Sequence, residues 1–271
     1  MDNTTSSVTL RELLEAGCHF GHHVTKLYPR ARDFIFAERE GVSIIDLVKT
    51  REGLINAMNY VRELGKNNGK IIFVGTKRQA GEIIKEEAKR SGAYYVTARW
   101  PGGLLTNWEV MRKNLNEMER LQEVLANPEK QKGYTKREIA LWKRHFDKML
   151  IEYEGVKDLD KVPEAIFVVD MKKEDGAVKE AARCNKTIVA MVDTNSNPDN
   201  ADYAIPTNDD AVGAIKFIVG KIADAYKEGV NLKEKEENAK AQEVIVEKEK
   251  TEKEEVKKVV SGQKAKTKSK I

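Results

Sequence analysis

The stretch IIFVGTKRQAGE, residues 71–82, decides the fold class. Its first four residues are apolar and typical of a buried strand, and Gly75 then turns the chain into a helix predicted over residues 78–91. A strand that runs through a glycine turn into a helix is the repeating unit of an α/β fold, and such turns commonly bind phosphate. Lys77 and Arg78 lie at this turn, so we predict a phosphate contact there, made either to a nucleotide or to a nucleic-acid backbone.

Further apolar runs alternate with helical patterns along the chain. The other predicted elements are strands at 94–97, 165–170, 187–193 and 203–207, and helices at 174–184 and 209–227. Runs without polar alternation indicate strands that are buried on both faces, so we predict a parallel sheet with helices on each side. The runs within residues 34–47 flank Gly41 and predict an antiparallel hairpin.

Residues 106–153 contain no predicted strand. Thr106 and Thr135 are each followed three residues later by glutamate, which is the pattern of a capping box at a helix start. Apolar residues at helical spacing follow both boxes, and Pro128 and Gly133 mark a turn between them. We predict an antiparallel helical hairpin that either projects as an arm or packs flat on the sheet.

These patterns divide the chain into three parts. The α/β core is predicted at 8–104 and 156–228, the hairpin insertion at 105–155, and a charged tail at 229–271. The stretch from 231 onward holds 12 Lys and 9 Glu in 41 positions, with almost no aromatic or periodic apolar content. This composition is typical of disorder or of a frayed charged helix.

The charge of the chain is unevenly distributed. The net charge is only +4, but residues 8–108 hold 16 basic and 11 acidic residues, whereas residues 161–230 hold 9 basic and 12 acidic ones. A polyanionic partner would therefore face the N-terminal part, although a difference of this size also fits ordinary charge scatter.

Several classes of protein are disfavoured by the sequence. The two cysteines, Cys18 and Cys184, form no CxxC motif and predict a reducing compartment. No run approaches the 18 apolar residues of a membrane span, and the N-terminus has no secretory pattern. We predict a cytoplasmic protein that has no membrane partner.

Four clusters are candidate sites, each with a competing interpretation. Neither a P-loop nor a G-x-G-x-x-G motif surrounds Gly75, so Lys77 and Arg78 could neutralise an external phosphate but not enclose a nucleotide. Cys18, His19, His22 and His23 are spaced closely enough for zinc, but two glycines interrupt them, and we predict no metal. A turn in which His19 and His22 bond to backbone or RNA phosphate is the favoured interpretation.

Asp170 and Asp193 end successive predicted strands, where α/β enzymes place catalytic acids, but such residues also cap loops. They support the alternative function, a nucleotide-dependent α/β enzyme. Arg99 and Trp100 precede a Gly pair, which could allow close approach of an RNA backbone or form a tight entry to the hairpin.

Six ordered motifs resemble the family of small-subunit ribosomal protein two in its bacterial form. They are LLEAGCHFGHH, FIFAEREGVSIIDLVKT, FVGTKRQA, RWPGGLLTNW, VDTNSNPD and IPTNDDA, and the match runs from about Val8 to Lys227. The family usually has Gln, Trp and Asn where this chain has His23, Leu27 and Tyr28.

The resemblance implies a flavodoxin-like, doubly wound parallel sheet of order 2-1-3-4-5 with a coiled-coil hairpin insertion. It also implies a ribosome-bound structural protein without catalytic activity, cofactor or small-molecule substrate. Its implied partners are small-subunit ribosomal RNA, ribosomal protein one and other small-subunit proteins. Together with the basic N-terminal part, the motifs predict the RNA-binding residues His19, His22, Lys26, Arg30, Arg32, Lys77, Arg78, Arg99 and Trp100.

Overall fold

The computed structural model describes residues 8–235 of the chain. Of the tail predicted at 229–271, residues 229–235 continue the last helix, and the part from residue 236 onward lies outside the described residues. The strands are β1 Phe20–His23, β2 Ile35–Arg39, β3 Val42–Ile45, β4 Ile71–Val74, β5 Tyr94–Val96, β6 Ala165–Val169, β7 Thr187–Val192 and β8 Tyr203–Pro206. The α-helices are α1 Leu10–Glu15, α2 Leu47–Lys66, α3 Arg78–Ser91, α4 Trp108–Ala126, α5 Lys136–Tyr153, α6 Asp175–Arg183 and α7 at 212–235.

The centre of the fold is a five-stranded parallel sheet in the order β5-β4-β6-β7-β8. Every residue of β4 and β6 is buried, as the unbroken apolar runs predict. Phe73 of β4 and Phe167 of β6 meet edge to face with their ring centroids 5.2 Å apart. Buried side chains fill both faces of this sheet, which confirms the predicted α/β class.

Helix α2 is an element that the sequence analysis did not predict. It begins after Asp46, whose carboxylate accepts a hydrogen bond from the backbone N–H of Val48, and it buries Leu54 and Met58 against the sheet. A Cβ at Gly53 would lie 2.4 Å from the carbonyl oxygen of Ala204 in β8. Glycine is therefore required here so that the helix and the edge strand can approach closely.

A second, smaller sheet packs beside the first in the order β1-β3-β2. The predicted hairpin is confirmed: β2 and β3 are antiparallel, and Glu40 and Gly41 turn between them with φ of 52° and 79°. Strand β1 adds to the free side of β3, pairing Phe20 with Ile44. The sequence analysis had interpreted residues 17–23 only as a turn.

Helices α4 and α5, which follow β5 and precede β6 along the chain, pack against each other. Thr135 forms the predicted capping box, with Glu138 bonding back to its N–H. The other predicted box, at Thr106, is wrong because α4 begins after Asn107 and the Thr106 hydroxyl donates to Glu180 instead. No helix in residues 8–235 is long and apolar enough to cross a bilayer.

Candidate nucleic-acid interface

The carboxyl ends of β4 and β6 are joined by the side chain of Lys77. This side chain is 12% exposed, and its Nζ lies 2.8 Å from Asp170 Oδ2 after β6. The same ammonium lies 2.7 Å from Asp209 Oδ1 and 2.8 Å from Asp210 Oδ1, in the segment before α7. Lys77 is therefore enclosed by three carboxylates at the carboxyl edge of the sheet.

The ionisation of this cluster is set by burial and by its mutual contacts. Burial lowers the pKa of the Lys77 ammonium, but its hydrogen bonds to the aspartates outweigh burial and raise the pKa above its ordinary value. Burial, with the negative charges of Asp193 and Asp170, raises the pKa of Asp209 to about 7. Asp209 Oδ2 is buried without a hydrogen-bond partner in the described part of the chain.

His22 closes the same region from β1. Its Nδ1 lies 3.1 Å from Asp193 Oδ2 and its Nε2 lies 3.4 Å from Asp210 Oδ2, so the ring faces carboxylates. The hydrogen bond to Asp193 raises the pKa of His22 above its ordinary value. His22, Asp193 and Asp209 place one potential metal ligand each within 4.8 Å of one another.

The sequence analysis missed this grouping because the aspartates lie far along the chain from His22. The cluster of Cys18, His19, His22 and His23 considered from the sequence is not brought together, since Cys18 is buried and bonded to none of these histidines, and His23 contacts Thr25. An imidazole and two carboxylates are a donor set that suits a divalent cation. The Lys77 ammonium, however, already supplies positive charge at Asp209.

This cluster predicts a dependence of stability on pH. Since the pKa of Asp209 is about 7 in the folded chain and 3.8 ordinarily, its protonated form favours folding. That contribution is complete below about pH 4 and is lost as the pH rises through about 7, and His22 acts in the same direction. We expect the free energy of unfolding to fall more between about pH 5 and pH 8 in the wild type than in Asp209→Asn, as measured by urea unfolding. Equal losses in both proteins would show that Asp209 ionises normally.

Asp170 and Asp193, the candidate catalytic acids, are both bonded within the protein. Asp170 pairs with Lys77 and accepts a hydrogen bond from the N–H of Lys173. Asp193 accepts hydrogen bonds from the N–H and hydroxyl of Thr194 besides its contact with His22. The cap interpretation therefore describes Asp193 better than the role of a free acid.

Exposed basic side chains lie at the same edge of the sheet as the cluster. Arg78 begins α3 after β4, Arg99 follows β5, and the 24–34 segment is held at the end of β7 because the N–H of Tyr28 donates to the carbonyl of Thr194. The carboxyl ends of parallel strands meet at one edge of a sheet, so these groups share that edge. We call the following exposed residues the basic edge: Lys26, Arg30, Arg32, Arg78, Arg99 and Lys172.

The members of the basic edge differ in whether they form an ion pair with a carboxylate of the same chain. Arg30 pairs with Asp199 at 2.7 Å, with both side chains about half exposed or more. The other five form no ion pair with any carboxylate in residues 8–235. Lys172, which follows β6, was missed by the sequence analysis, although its place after a predicted strand was a usable signal.

The remaining predicted RNA-binding residues are less accessible. His19 is half-buried, burial lowers the pKa of its ring, and its Nδ1 has no partner in the described chain. Trp100 is half-buried, and its Nε1 donates to Glu180 at 2.7 Å. Lys77 and His22 face carboxylates, as described above.

Glu180 of α6 fixes the segment that leads into the helical pair. Besides Trp100, its carboxylate accepts from the N–H groups of Gly103 at 3.2 Å, Leu105 at 2.8 Å and Thr106 at 2.9 Å. Burial raises the pKa of Glu180, but these hydrogen bonds lower it by more. The net pKa lies below its ordinary value, so the carboxylate stays charged. No local pattern could have revealed this contact, because Glu180 is 75 residues from Leu105.

Comparison of the sequence with known proteins finds relatives over most of the chain. The family model described as ribosomal protein S2 matches residues 13–229. The small ribosomal subunit protein uS2 of Coprothermobacter proteolyticus is 49% identical over 226 residues, covering 82% of each chain. That of Fusobacterium nucleatum is 43% identical over 224 residues, covering 83% of this chain and 91% of the relative.

Proposed function

Since this chain belongs to the ribosomal protein S2 family, we propose that it is a structural, non-enzymatic component of the small ribosomal subunit. It works in the cytoplasm as part of that particle, in translation. The two relatives are named as small ribosomal subunit proteins, which supports the same particle for this chain.

The proposed RNA contact is made by the basic edge. The observation that carries it is that five of these six exposed lysines and arginines have no ion pair in residues 8–235. Unpaired cations on a surface can neutralise phosphates and release the counterions that surround them. Phosphate contacts position a protein on RNA without selecting sequence, which suits a structural component.

Four predicted RNA contacts have less support from the geometry. The polar groups of His22, Lys77 and Trp100 already have internal partners, and the unpartnered Nδ1 of His19 is buried. Their RNA contacts stay predictions, and we expect smaller contributions from them than from Arg78 and Arg99. The proposed protein partners, ribosomal protein one and other small-subunit proteins, rest on the family resemblance.

The fold is proposed to be flavodoxin-like with an inserted coiled-coil arm. Counting only the parallel strands, the order β5-β4-β6-β7-β8 corresponds to 2-1-3-4-5, which supports the first part. The arm is supported by the pairing of α4 with α5 and by the exposure or half-burial of residues 136–148. The proposed boundaries remain 8–104 and 156–228 for the core and 105–155 for the insertion.

The test combines sedimentation with a salt titration. The full chain should sediment with small subunits, and its affinity for small-subunit ribosomal RNA should fall steeply with salt. In Arg78→Ala/Arg99→Ala, the slope of log affinity against log salt should lose about 1–2 units, because each lost phosphate contact removes about 0.7–0.9.

The matched control is Lys216→Ala/Lys227→Ala, which removes two exposed lysines of α7 that have no ion pair in residues 8–235. Its slope should equal that of the wild type. Absence of the protein from small-subunit fractions would refute the function, and equal slopes for the two double variants would remove Arg78 and Arg99 from the RNA contact.

A further inference from the structure

A cavity of about 420 Å³ opens between the basic edge and the loop that follows β7. We propose that it binds one unstacked nucleotide of the bound RNA, with the base inside the cavity and the adjoining phosphates at its mouth. This proposal rests on the proposed function and assigns a base contact to a surface that otherwise contacts only backbone. The cavity is lined by the 24–34 segment, by the residues that follow β6 and by the loop that follows β7.

One part of the lining is apolar and suits the flat face of a base. Leu27 and Tyr28 contribute it from the 24–34 segment, and Met171 contributes it from the end of β6. Tyr28 is 36% exposed, so its ring is accessible although its backbone is anchored to Thr194. Single-stranded bases bind proteins by stacking on such aromatic rings.

Another part of the lining carries side-chain amides that suit the polar edge of a base. The amide nitrogen of Asn195 contacts His22 Nε2 at 3.0 Å, and its oxygen accepts from the Ser196 hydroxyl at 2.9 Å. The Asn197 oxygen accepts from the N–H of Asp199 at 3.2 Å. An amide offers two donors and two acceptor positions, so each of these groups is oriented and still has bonding capacity left.

The charge at the mouth favours a phosphate. Lys26 and Lys172 are exposed and have no ion pair in residues 8–235. The carboxylate in the lining, Asp175, is paired with Lys179 at 2.6 Å. A nucleotide brings the combination that this cavity complements, which is a flat ring with polar edges joined to a negative charge.

Two other cavities lack this combination. The one of about 530 Å³ beside α6 and β7 includes Lys179 and Lys186, but it has no aromatic side chain. The one of about 360 Å³ beside β8 includes Tyr60 and Tyr203, but it has no basic side chain. The proposed cavity has both, and it is continuous with the basic edge.

The first measurement is NMR of the full chain titrated with adenosine, cytidine, guanosine and uridine 5′-monophosphates, with ribose 5-phosphate as a probe without a base. We expect at least one nucleotide to shift the side-chain amides of Asn195 and Asn197. Tyr28→Ala should weaken that binding about tenfold, since stacking on an aromatic ring is lost. The control Tyr134→Ala removes a tyrosine that is 49% exposed in the turn between α4 and α5, and it should bind as the wild type does.

The second measurement is ultraviolet cross-linking of assembled small subunits, with the modified peptides identified by mass spectrometry. We expect a ribonucleotide adduct on the peptide that contains Tyr28. The proposal is overturned if ribose 5-phosphate gives the same amide shifts as the nucleotides, if Tyr28→Ala binds them as tightly as the wild type, or if no adduct forms near the cavity. If these occur while the protein sediments with small subunits, the proposed function stands without the base contact. A protein absent from small subunits refutes the function, and with it the RNA source of the nucleotide.

Discussion

Lys77→Ala is expected to lower the free energy of unfolding by about 3–5 kcal/mol. The substitution removes the ammonium that lies 2.8 Å from Asp170 and 2.7 Å from Asp209, whose side chains are only 10% and 0% exposed. Asp170 and Asp209 would then lose their counterion. Asp209, whose pKa is about 7, can take up a proton instead, whereas leaving the Asp170 charge unpaired in the interior is costly. Urea unfolding at neutral pH measures the change.

Arg78→Ala is the matched control, because it removes the neighbouring positive charge from the exposed start of α3. We expect a change within about 0.5 kcal/mol, as for most surface substitutions. The two variants should also separate the roles of the two residues, with Lys77→Ala losing stability and Arg78→Ala losing salt-dependent RNA affinity. Equal stability of both variants would mean that the Lys77 contacts contribute nothing to folding.

Glu180→Ala is expected to lower the free energy of unfolding by about 2–4 kcal/mol. Its carboxylate accepts from four backbone or indole N–H groups, of which that of Leu105 belongs to a buried residue. Each donor that stays buried without a partner costs about 1–3 kcal/mol, although the segment can relax and expose some of them to water. Hydrogen exchange at residues 100–106 should therefore accelerate, while exchange in β4 and β6 should change less.

Two further variants test whether the effect belongs to this carboxylate. Glu180→Gln keeps the length of the side chain and one acceptor oxygen. Its free energy of unfolding should therefore lie between those of the wild type and Glu180→Ala. Glu117→Ala removes a glutamate whose one ion pair in residues 8–235 is with Arg120 on the surface of α4, and we expect a change below about 1 kcal/mol. Unchanged exchange at 100–106 in Glu180→Ala would contradict the assigned role.

The parts of the fold that were predicted from the sequence are those with a strong local pattern. The runs at 71–74, 165–170 and 187–193 are continuous and β-rich, and each is a strand within a residue or two of its predicted bounds. Helix α2 was missed because its sequence carries lysines, arginines and two glycines among its apolar residues, so its helical stripe is weak. Gly53 lowers the local helix propensity, yet the close approach of β8 requires a residue without a Cβ at this position.

The candidate site was less predictable because its contacts span distant parts of the chain. Lys77 has the sequence surroundings of a surface phosphate ligand, and only the approach of Asp209 turns it inward. Thr106 has a perfect local capping pattern, but the longer-range acceptor Glu180 takes its hydroxyl. Local patterns therefore located the edge of the sheet that carries the site, but they could not determine which of its charges remain available to a ligand.

The position of the helical pair between β5 and β6 has a consequence for how quickly the protein folds. Strand β4 pairs with β5 on one side and with β6 on the other, so the α4–α5 segment lies entirely within the loop that must close before β6 can dock. Closing a long loop costs chain entropy, and contacts between residues distant in sequence slow the folding of a domain. The contacts of α4 with α5 are local, so they can form early and draw the two ends of that loop together. Early pairing of α4 with α5 thereby offsets part of the entropy cost that the inserted residues add to the β4–β6 pairing. In a chain synthesised from its N-terminus, this segment is made before β6, β7 and β8 emerge.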